Sequence, residues 1–416
     1  MAASHLQCKE CKTEYPLDAR YVCERCFGPL EVAYQHPTDR DPADWRRRIQ
    51  AGPQNIWRYS DFLPLTAQPG PSARNSSRAG LPAGCTPLIR ADRLAERLGI
   101  REIWIKNDAA NPTHSFKDRV VSVAVARARE LGFTTIACAS TGNLANSVAA
   151  HGAALGLESY VFIPADLEEQ KILATGVYGT NLVAVRGNYD DVNRLCTELS
   201  GEHDWAFVNV NMRPYYAEGS KTIAYEIAEQ LGWEQPDRIV APIASGSLFT
   251  KIARGFAEWR EVGLIEGDAP KMNGAQADGC SPVATAYREG TDIVRPVKPN
   301  TIAKSLAIGN PADGPYAVDL ARNTGGGVDS VSDDEIKAGI RLLAETTGIF
   351  TETAGGVTTA VLAKLAERGD IDPNERVVAV ITGEGLKTLD AVRDTFETHT
   401  IDANLKSFES TVSVAA

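Results

Sequence analysis

The sequence predicts an α/β protein: two open α/β domains facing each other across a cleft, preceded by a small cysteine-paired ribbon. Three observations carry this reading. From residue 84 onward, short runs rich in β-branched and small apolar residues alternate with amphipathic stretches, as parallel strands covered by helices require. The roughly 300 residues of this pattern exceed what one sheet holds, so two sheets with a cleft between them follow. Residues 1–35 follow another rule, with two Cys-x-x-Cys pairs in a turn-rich text.

Composition narrows the function classes. The chain has 416 residues, 43% hydrophobic and 23% charged, with a formal net charge of −11, so ordinary globular domains are expected and disorder is not. The acidic balance repels phosphate backbones and anionic lipid, which argues against nucleic acid or a membrane as partner and for a small molecule. Met1 to Cys11 has no basic start followed by a long apolar run, and no stretch approaches the roughly 18 apolar residues of a spanning helix. A cytoplasmic protein is expected. Four of its eight cysteines are paired at Cys-x-x-Cys spacing and the rest stand singly among apolar residues, which fits a reducing compartment.

In chain order, Cys8-Lys-Glu-Cys11 and Cys23-Glu-Arg-Cys26 read as two tight-turn knuckles that together offer four thiolates to one tetrahedral Zn²⁺, with Gly28-Pro29 suited to the reversal after the second. The competing reading is four free thiols. Residues 36–84 turn polar and rich in Pro, Ser, Arg and Gly, and predict a helix around Trp45 to Ile49 followed by a long surface connection. The expected strands are Ile103–Lys106, Thr134–Ala139, Ser159–Ile163, Leu182–Val185, Ala206–Val210, Arg238–Pro242 and Arg376–Thr382. The residues after Asp402 read as a loose tail.

Four segments carry chemistry. In Asn111-Pro-Thr-His114-Ser115-Phe116-Lys117-Asp118-Arg119, the Ser-x-x-Asp spacing predicts a capping box with Lys117 in the first turn of a helix. The positive end of the helix dipole disfavours an ammonium there, and an amine that is neutral part of the time is a nucleophile toward an aldehyde. The bland alternative is a solvated lysine beside Asp118 and Arg119. Ser140-Thr141-Gly142-Asn143, after a strand and opening a helix, suits a carboxylate, or is a simple turn with an N-cap. Ala244-Ser245-Gly246-Ser247-Leu248 has the same strand-to-helix setting, and its small residues let backbone N–H groups approach a phosphate. Thr382-Gly-Glu-Gly385 puts a hydroxyl at a strand's carboxyl end. His151, on an Ala-rich helix, reads as structural.

In this order the four segments resemble the fold type II pyridoxal-phosphate enzymes, the tryptophan synthase β-like group, and within it the threonine synthases. Asn111-Pro-Thr-x-Ser-Phe-Lys-Asp-Arg119, Glu218-Gly-Ser-Lys-Thr222 and the cysteine-paired N-terminus carry the likeness, which runs from Cys8 to about Val392. The resemblance implies a zinc-ribbon-like unit over 1–35, a large cofactor-binding α/β domain over 36–112 and 222–416, and a small α/β domain over 113–221. It implies that Lys117 holds pyridoxal 5'-phosphate as a Schiff base and shuttles protons once displaced. Asn143 would bond the ring hydroxyl oxygen, the backbone of Ala244, Ser245, Gly246, Ser247 and Leu248 the cofactor phosphate, and Thr382 the pyridine nitrogen. Phe116 would pack beside the lysine, and Ser140, Thr141 and Gly142 would take the substrate carboxylate. The segment around Glu352 resembles one that lies beside the cofactor. The implied reaction turns O-phospho-L-homoserine and water into L-threonine and phosphate, in a homodimer.

The chain departs from the family where the leaving phosphate is bound. Leu248 ends the cofactor loop where many relatives have Asn, Tyr216 stands where an Arg is usual, and His114 stands where Gly is common. Arg213 is the candidate replacement, with Asn209, Asn211 and Lys221 nearby. These departures also admit a β-elimination or β-replacement enzyme acting on another phosphorylated or acylated amino acid. A catalytically idle binding protein is the reading from outside enzymology.

Overall fold

The computed structural model describes residues 3–36, 40–65, 80–140, 142–167, 169–187, 189–393 and 395–411. The chain opens with a three-stranded antiparallel ribbon in which β1 (Ala3–Cys8) lies between β2 (Glu14–Tyr15) and β3 (Leu30–Tyr34). The inner face of the ribbon does not form a core alone. Leu6, Leu30 and Val32 join one apolar cluster with Val120, Val121 and Tyr215 from the body of the protein.

The expected helix near Trp45 spans Pro42–Gln50, capped by the Asp41 carboxylate on the Ala43 N–H at 2.9 Å and started by proline at N1. The surface connection expected after it is corrected in its first part. Ile56–Phe62 forms short 3₁₀ turns that bury Ile56, Trp57, Tyr59 and Phe62. Phe62 packs on Trp45, Tyr225 and Trp259 with ring centroids 5.0, 5.5 and 6.2 Å apart. Aromatic anchors spaced irregularly among Arg, Ser and Asp have no helical or strand period, so the pattern concealed them. The Pro- and Ser-rich run within 66–79 lies outside the described residues.

The larger sheet has the order β12 (Gly327–Val331), β11 (Lys271–Ala277), β10 (Arg238–Pro242), β13 (Arg376–Ile381), β5 (Glu102–Asn107) and β4 (Leu88–Arg90), parallel except for β4 at its edge. Between β5 and β10 the chain lays down the smaller parallel sheet, β8 (Asn181–Val185), β7 (Glu158–Pro164), β6 (Thr135–Ala139) and β9 (Ala206–Phe207). Strand β13 shows why central strands read as continuous apolar runs: Val378 and Val380 enter one core, Val377, Ala379 and Ile381 the other. Strands β4, β11 and β12 were not among those expected. In β11 the buried Asn273 and Gln276 replace β-branched residues, and they are satisfied by Arg238 (2.6 Å) and by the Val283 and Ala284 N–H groups (3.0 Å each). The loose tail expected after Asp402 is corrected in part: among the described residues it holds a short exposed helix, Leu405–Thr411.

Candidate active site

The four chemical segments gather beyond the carboxyl ends of β5, β6, β10 and β13, where open α/β sheets bind ligands. The lysine segment is strapped to the end of β13. Phe116 N–H donates to the Thr382 carbonyl at 2.9 Å, Ser115 bridges Gly383, and Glu384 N–H donates to the His114 carbonyl at 3.1 Å. His114 is exposed and sits at φ +60°, a left-handed conformation that glycine adopts most readily.

The helix starts at Lys117 as expected, but the expected capping box is absent. Ser115, drawn into its bridge with Gly383, leaves its hydroxyl buried and without a hydrogen-bond partner. The Asp118 carboxylate turns instead to Thr113 (N–H 2.6 Å, hydroxyl 2.7 Å) and to the Ser147 hydroxyl (2.6 Å), with His151 3.6 Å away. Asp118 and Arg119 are fully buried, so the picture of a solvated lysine beside two solvated charges is reversed. Lys117 stays on the open side and donates to the Tyr216 hydroxyl at 2.9 Å, its amine 4.6 Å from the Phe116 ring centre. Gly219 makes this meeting possible, because a Cβ there would stand 2.4 Å from the Arg119 carbonyl oxygen and hold the Tyr216 helix (Arg213–Glu218) away.

Asn143 opens the helix Asn143–Leu155 and is held between two partners: its Nδ2 donates to Glu352 Oε2 at 2.9 Å, and its Oδ1 accepts from Lys387 Nζ at 2.8 Å. Burial pushes the Glu352 carboxyl above its usual range. The Ser140 hydroxyl accepts from the Gly142 and Ala145 N–H groups (3.3 and 3.2 Å), so it caps this helix while facing the cleft. Thr141 lies outside the described residues.

In the loop after β10, Gly246 has φ +93°, and a Cβ on it would meet the Asp313 carbonyl oxygen at 2.7 Å. The turn leads into the helix Ser247–Glu261, a helix start of the kind that suits an anion, with the Ser247 N–H donating to the Ser245 hydroxyl at 3.4 Å. Leu248 packs against the adjacent core. Arg213 reaches this loop through Asp313: it pairs with the Asp313 carboxylate at 3.0 Å, and Asp313 N–H donates to the Ser245 carbonyl at 2.8 Å. Lys9 of the ribbon holds the same carboxylate at 3.3 Å.

Two of the nearby candidates for the leaving phosphate are spent elsewhere. Lys221 is fully buried between Glu218 (2.6 Å) and Glu258 (3.0 Å), and Asn211 closes its own turn on Phe207 and Trp205. Asn209 keeps a buried, unpartnered Oδ1. Sequence reading missed Lys387 and took Tyr216 only as a departure. The one local hint was a lysine placed two residues beyond Thr382-Gly-Glu-Gly385.

A second constellation is the ribbon's cysteine set. The sulfurs of Cys8, Cys11, Cys23 and Cys26 lie within 4.8 Å of one another, with Cys8–Cys26 and Cys11–Cys23 both at 3.5 Å. Four sulfurs at a Zn–S distance of about 2.3 Å stand about 3.8 Å apart in a tetrahedron, so the set fits zinc. The left-handed residues that turn the two knuckles are Lys12 (φ +60°) and Phe27 (φ +59°), each directly after its second cysteine, rather than Gly28.

A family model described as pyridoxal-phosphate dependent enzyme matches residues 80–383. The threonine synthase of Methanocaldococcus jannaschii is 39% identical over 388 residues, 92% of this chain and 93% of that protein. The chain belongs to the threonine synthase family of pyridoxal-phosphate dependent enzymes. The threonine synthase of Methanosarcina acetivorans is 36% identical over 98% of both chains, so the family likeness includes the ribbon. Among solved structures, O-acetyl serine sulfhydrylase isoform 3 from Entamoeba histolytica superposes with TM-score 0.64 at 19% identity, over 78% of this chain and 93% of that one. The processed threonine deaminase isoform 2 of Solanum lycopersicum gives 0.62 at 23%, over 85% and 88%. The fold is therefore fold type II. The donor set suits the family's cofactor: an amine on the open side, an amide, a hydroxyl at a strand end and a glycine-turned anion cradle.

Proposed function

We propose that the protein converts O-phospho-L-homoserine and water to L-threonine and phosphate. The observation that carries this reading is the strapping of the Lys117 segment onto Thr382–Glu384 beside Asn143, in a chain of the threonine synthase family. When bound, pyridoxal phosphate supplies the electron sink that lets substrate carbons lose protons. Lys117 holds it through the side-chain amine and, when free, moves protons at the substrate's α-carbon, with the Tyr216 hydroxyl holding that amine in place. Asn143 would bond the ring oxygen, the Thr382 hydroxyl would serve the ring nitrogen, and the N–H groups of Ala244–Leu248 would hold the phosphate. Phe116 packs beside the amine. Ser140, Thr141 and Gly142 take the substrate carboxylate, and Arg213 meets the departing phosphate by exchanging its Asp313 partner for it. Purified protein given O-phospho-L-homoserine is expected to release threonine and phosphate in equal amounts. Release of neither, with the cofactor's absorbance intact, would sink the assignment.

Leu248 and Tyr216, which stand where Asn and Arg are usual, support a second reading, β-elimination or β-replacement on another activated amino acid. Turnover of O-phosphoserine or O-acetylserine in place of O-phospho-L-homoserine would establish it.

The ribbon thiolates hold one structural Zn²⁺. Because the inner face of the ribbon belongs to the cluster around Val120, Val121 and Tyr215, zinc removal is expected to loosen the helix that begins at Lys117. Metal analysis should give one zinc per chain, and chelation should lower the thermal midpoint; an unchanged midpoint after proven zinc loss would count against the role. With four cysteines given to the ribbon, Cys85, Cys138, Cys196 and Cys280 stand singly among apolar residues, a usage that supports a reducing, cytoplasmic setting. The protein works as a homodimer, as fold type II enzymes commonly do.

A further inference from the structure

Lys387 is a half-buried lysine beside the site that the reaction as described leaves without a task. It stands in the 3₁₀ turns Gly385–Val392 that follow the Thr382–Glu384 strap. Its ammonium makes two hydrogen bonds, to the Thr113 carbonyl at 2.7 Å and to Asn143 Oδ1 at 2.8 Å. The first anchor is rigid, because Thr113 is itself held by the buried Asp118 carboxylate through both its N–H and its hydroxyl. The second anchor has a consequence for the amide. An asparagine side chain presents an acceptor and a donor of almost the same shape, and nothing in its own geometry decides which way it faces. A lysine offers donors only, so it can face the oxygen and never the NH₂ group. With Oδ1 taken by Lys387, the NH₂ of Asn143 must point the other way, where it now meets Glu352 Oε2 at 2.9 Å.

We propose that Lys387 is a positioning residue that acts through Asn143: it fixes the amide so that the NH₂ group is presented to the cofactor's ring oxygen, and so sets the electronic state of the bound cofactor. The inference rests on the reading of Asn143 as the ring-oxygen partner. Without Lys387 the Glu352 contact alone is left to orient the amide, and a flip would turn an acceptor toward an oxygen that carries negative charge. Burial lowers the Lys387 ammonium from its ordinary value, against the opposing pull of Glu352, Asp118 and Glu384.

The test uses the holoenzyme and compares wild type with Lys387→Met, Lys387→Arg, Asn143→Ala and the Asn143→Ala/Lys387→Met double variant. Each is assayed for covalent cofactor after borohydride reduction, for the visible absorption band of the bound cofactor, and for kcat and KM separately. Lys387→Met is expected to keep its cofactor, to shift the absorption band in the same direction as Asn143→Ala, and to lose kcat by roughly 10- to 100-fold with little change in KM, as when a supporting hydrogen bond is removed. Lys387→Arg should recover part of both signals. The double variant should be no worse than Asn143→Ala alone, since both act through one amide. A wild-type band in Lys387→Met, or effects that multiply in the double variant, would overturn the proposal. If Asn143→Ala leaves the band unchanged, the reading of Asn143 falls and the proposal falls with it. Should Lys387→Met not fold, Lys387→Ala serves the same comparison, since it too offers no donor to Asn143 Oδ1, and the band is again expected to move.

Discussion

Lys117→Ala is expected to abolish turnover, with kcat/KM falling by roughly 10⁴-fold or more, and to leave the fold in place. A positioned acid–base group contributes about 10²- to 10⁴-fold, and here the same amine also anchors the cofactor. The fold should survive because the side chain is only half-buried and its described hydrogen bond reaches a single hydroxyl, that of Tyr216. Mass analysis after borohydride reduction should find no cofactor on the variant, while its circular dichroism and thermal midpoint stay near wild type. Lys117→Arg should be equally inactive, since a guanidinium at neutral pH is not a nucleophile. Covalent cofactor on the alanine variant would mean that another lysine does this work.

Two positions further along, Arg119→Met is expected to behave in the opposite way, with a large loss of stability. The Arg119 guanidinium is fully buried and bonds Asp108 (2.6 and 2.9 Å), Glu226 (2.6 and 2.7 Å) and the Thr86 and Thr222 hydroxyls (2.9 Å each). Lys106 adds a second cation on Glu226 at 2.6 Å, so two buried cations balance two buried carboxylates. Removing one member leaves an uncompensated buried charge, at a cost of about 3–5 kcal/mol against a total stability on the order of 5–15 kcal/mol. A urea titration should show a lower midpoint at unchanged slope, or no folded protein at all.

The same cluster gives a pH dependence. Burial alone would raise the Glu226 carboxyl, but Arg119 and Lys106 overcome it and hold the group at about 2, below its ordinary 4.5. A depressed carboxylate adds stability that is present above its unfolded value and lost as pH falls through its folded one. For wild type, the Glu226 contribution should therefore be lost between about 4.5 and about 2. In Arg119→Met the folded value should move back up toward 4.5, so this contribution shrinks and less stability is lost on acidification. A variant with wild-type stability at neutral pH would show that the network is dispensable.

These neighbours mark the limit of what a sequence tells. Ser115-Phe-Lys-Asp-Arg119 identifies the lysine by resemblance, yet three charged residues in a row cannot say which of them faces the cleft. The structure sends Asp118 and Arg119 inward and leaves Lys117 out. The capping box failed for a related reason: Ser115 was claimed by Gly383, hundreds of residues away in sequence, and no local rule anticipates that.

The sequence by itself determined the parts whose physics is local. Two Cys-x-x-Cys pairs bring four sulfurs together because each turn needs only its own residues. The apolar runs of β5, β6, β10 and β13 become central strands because burial on both faces demands such runs, and the small residues of Ser245-Gly246-Ser247 turn into a helix start by their own conformational freedom. The tertiary structure alone decided the pairings that make a site of them. Lys117 meets Tyr216 across 99 positions, Arg119 meets Glu226 across 107 and Asn143 meets Lys387 across 244. Each of these contacts depends on two elements docking at one distance and angle. The energy that sets that docking comes from the packed cores beneath the site, so no signal of it is written beside the residues that meet.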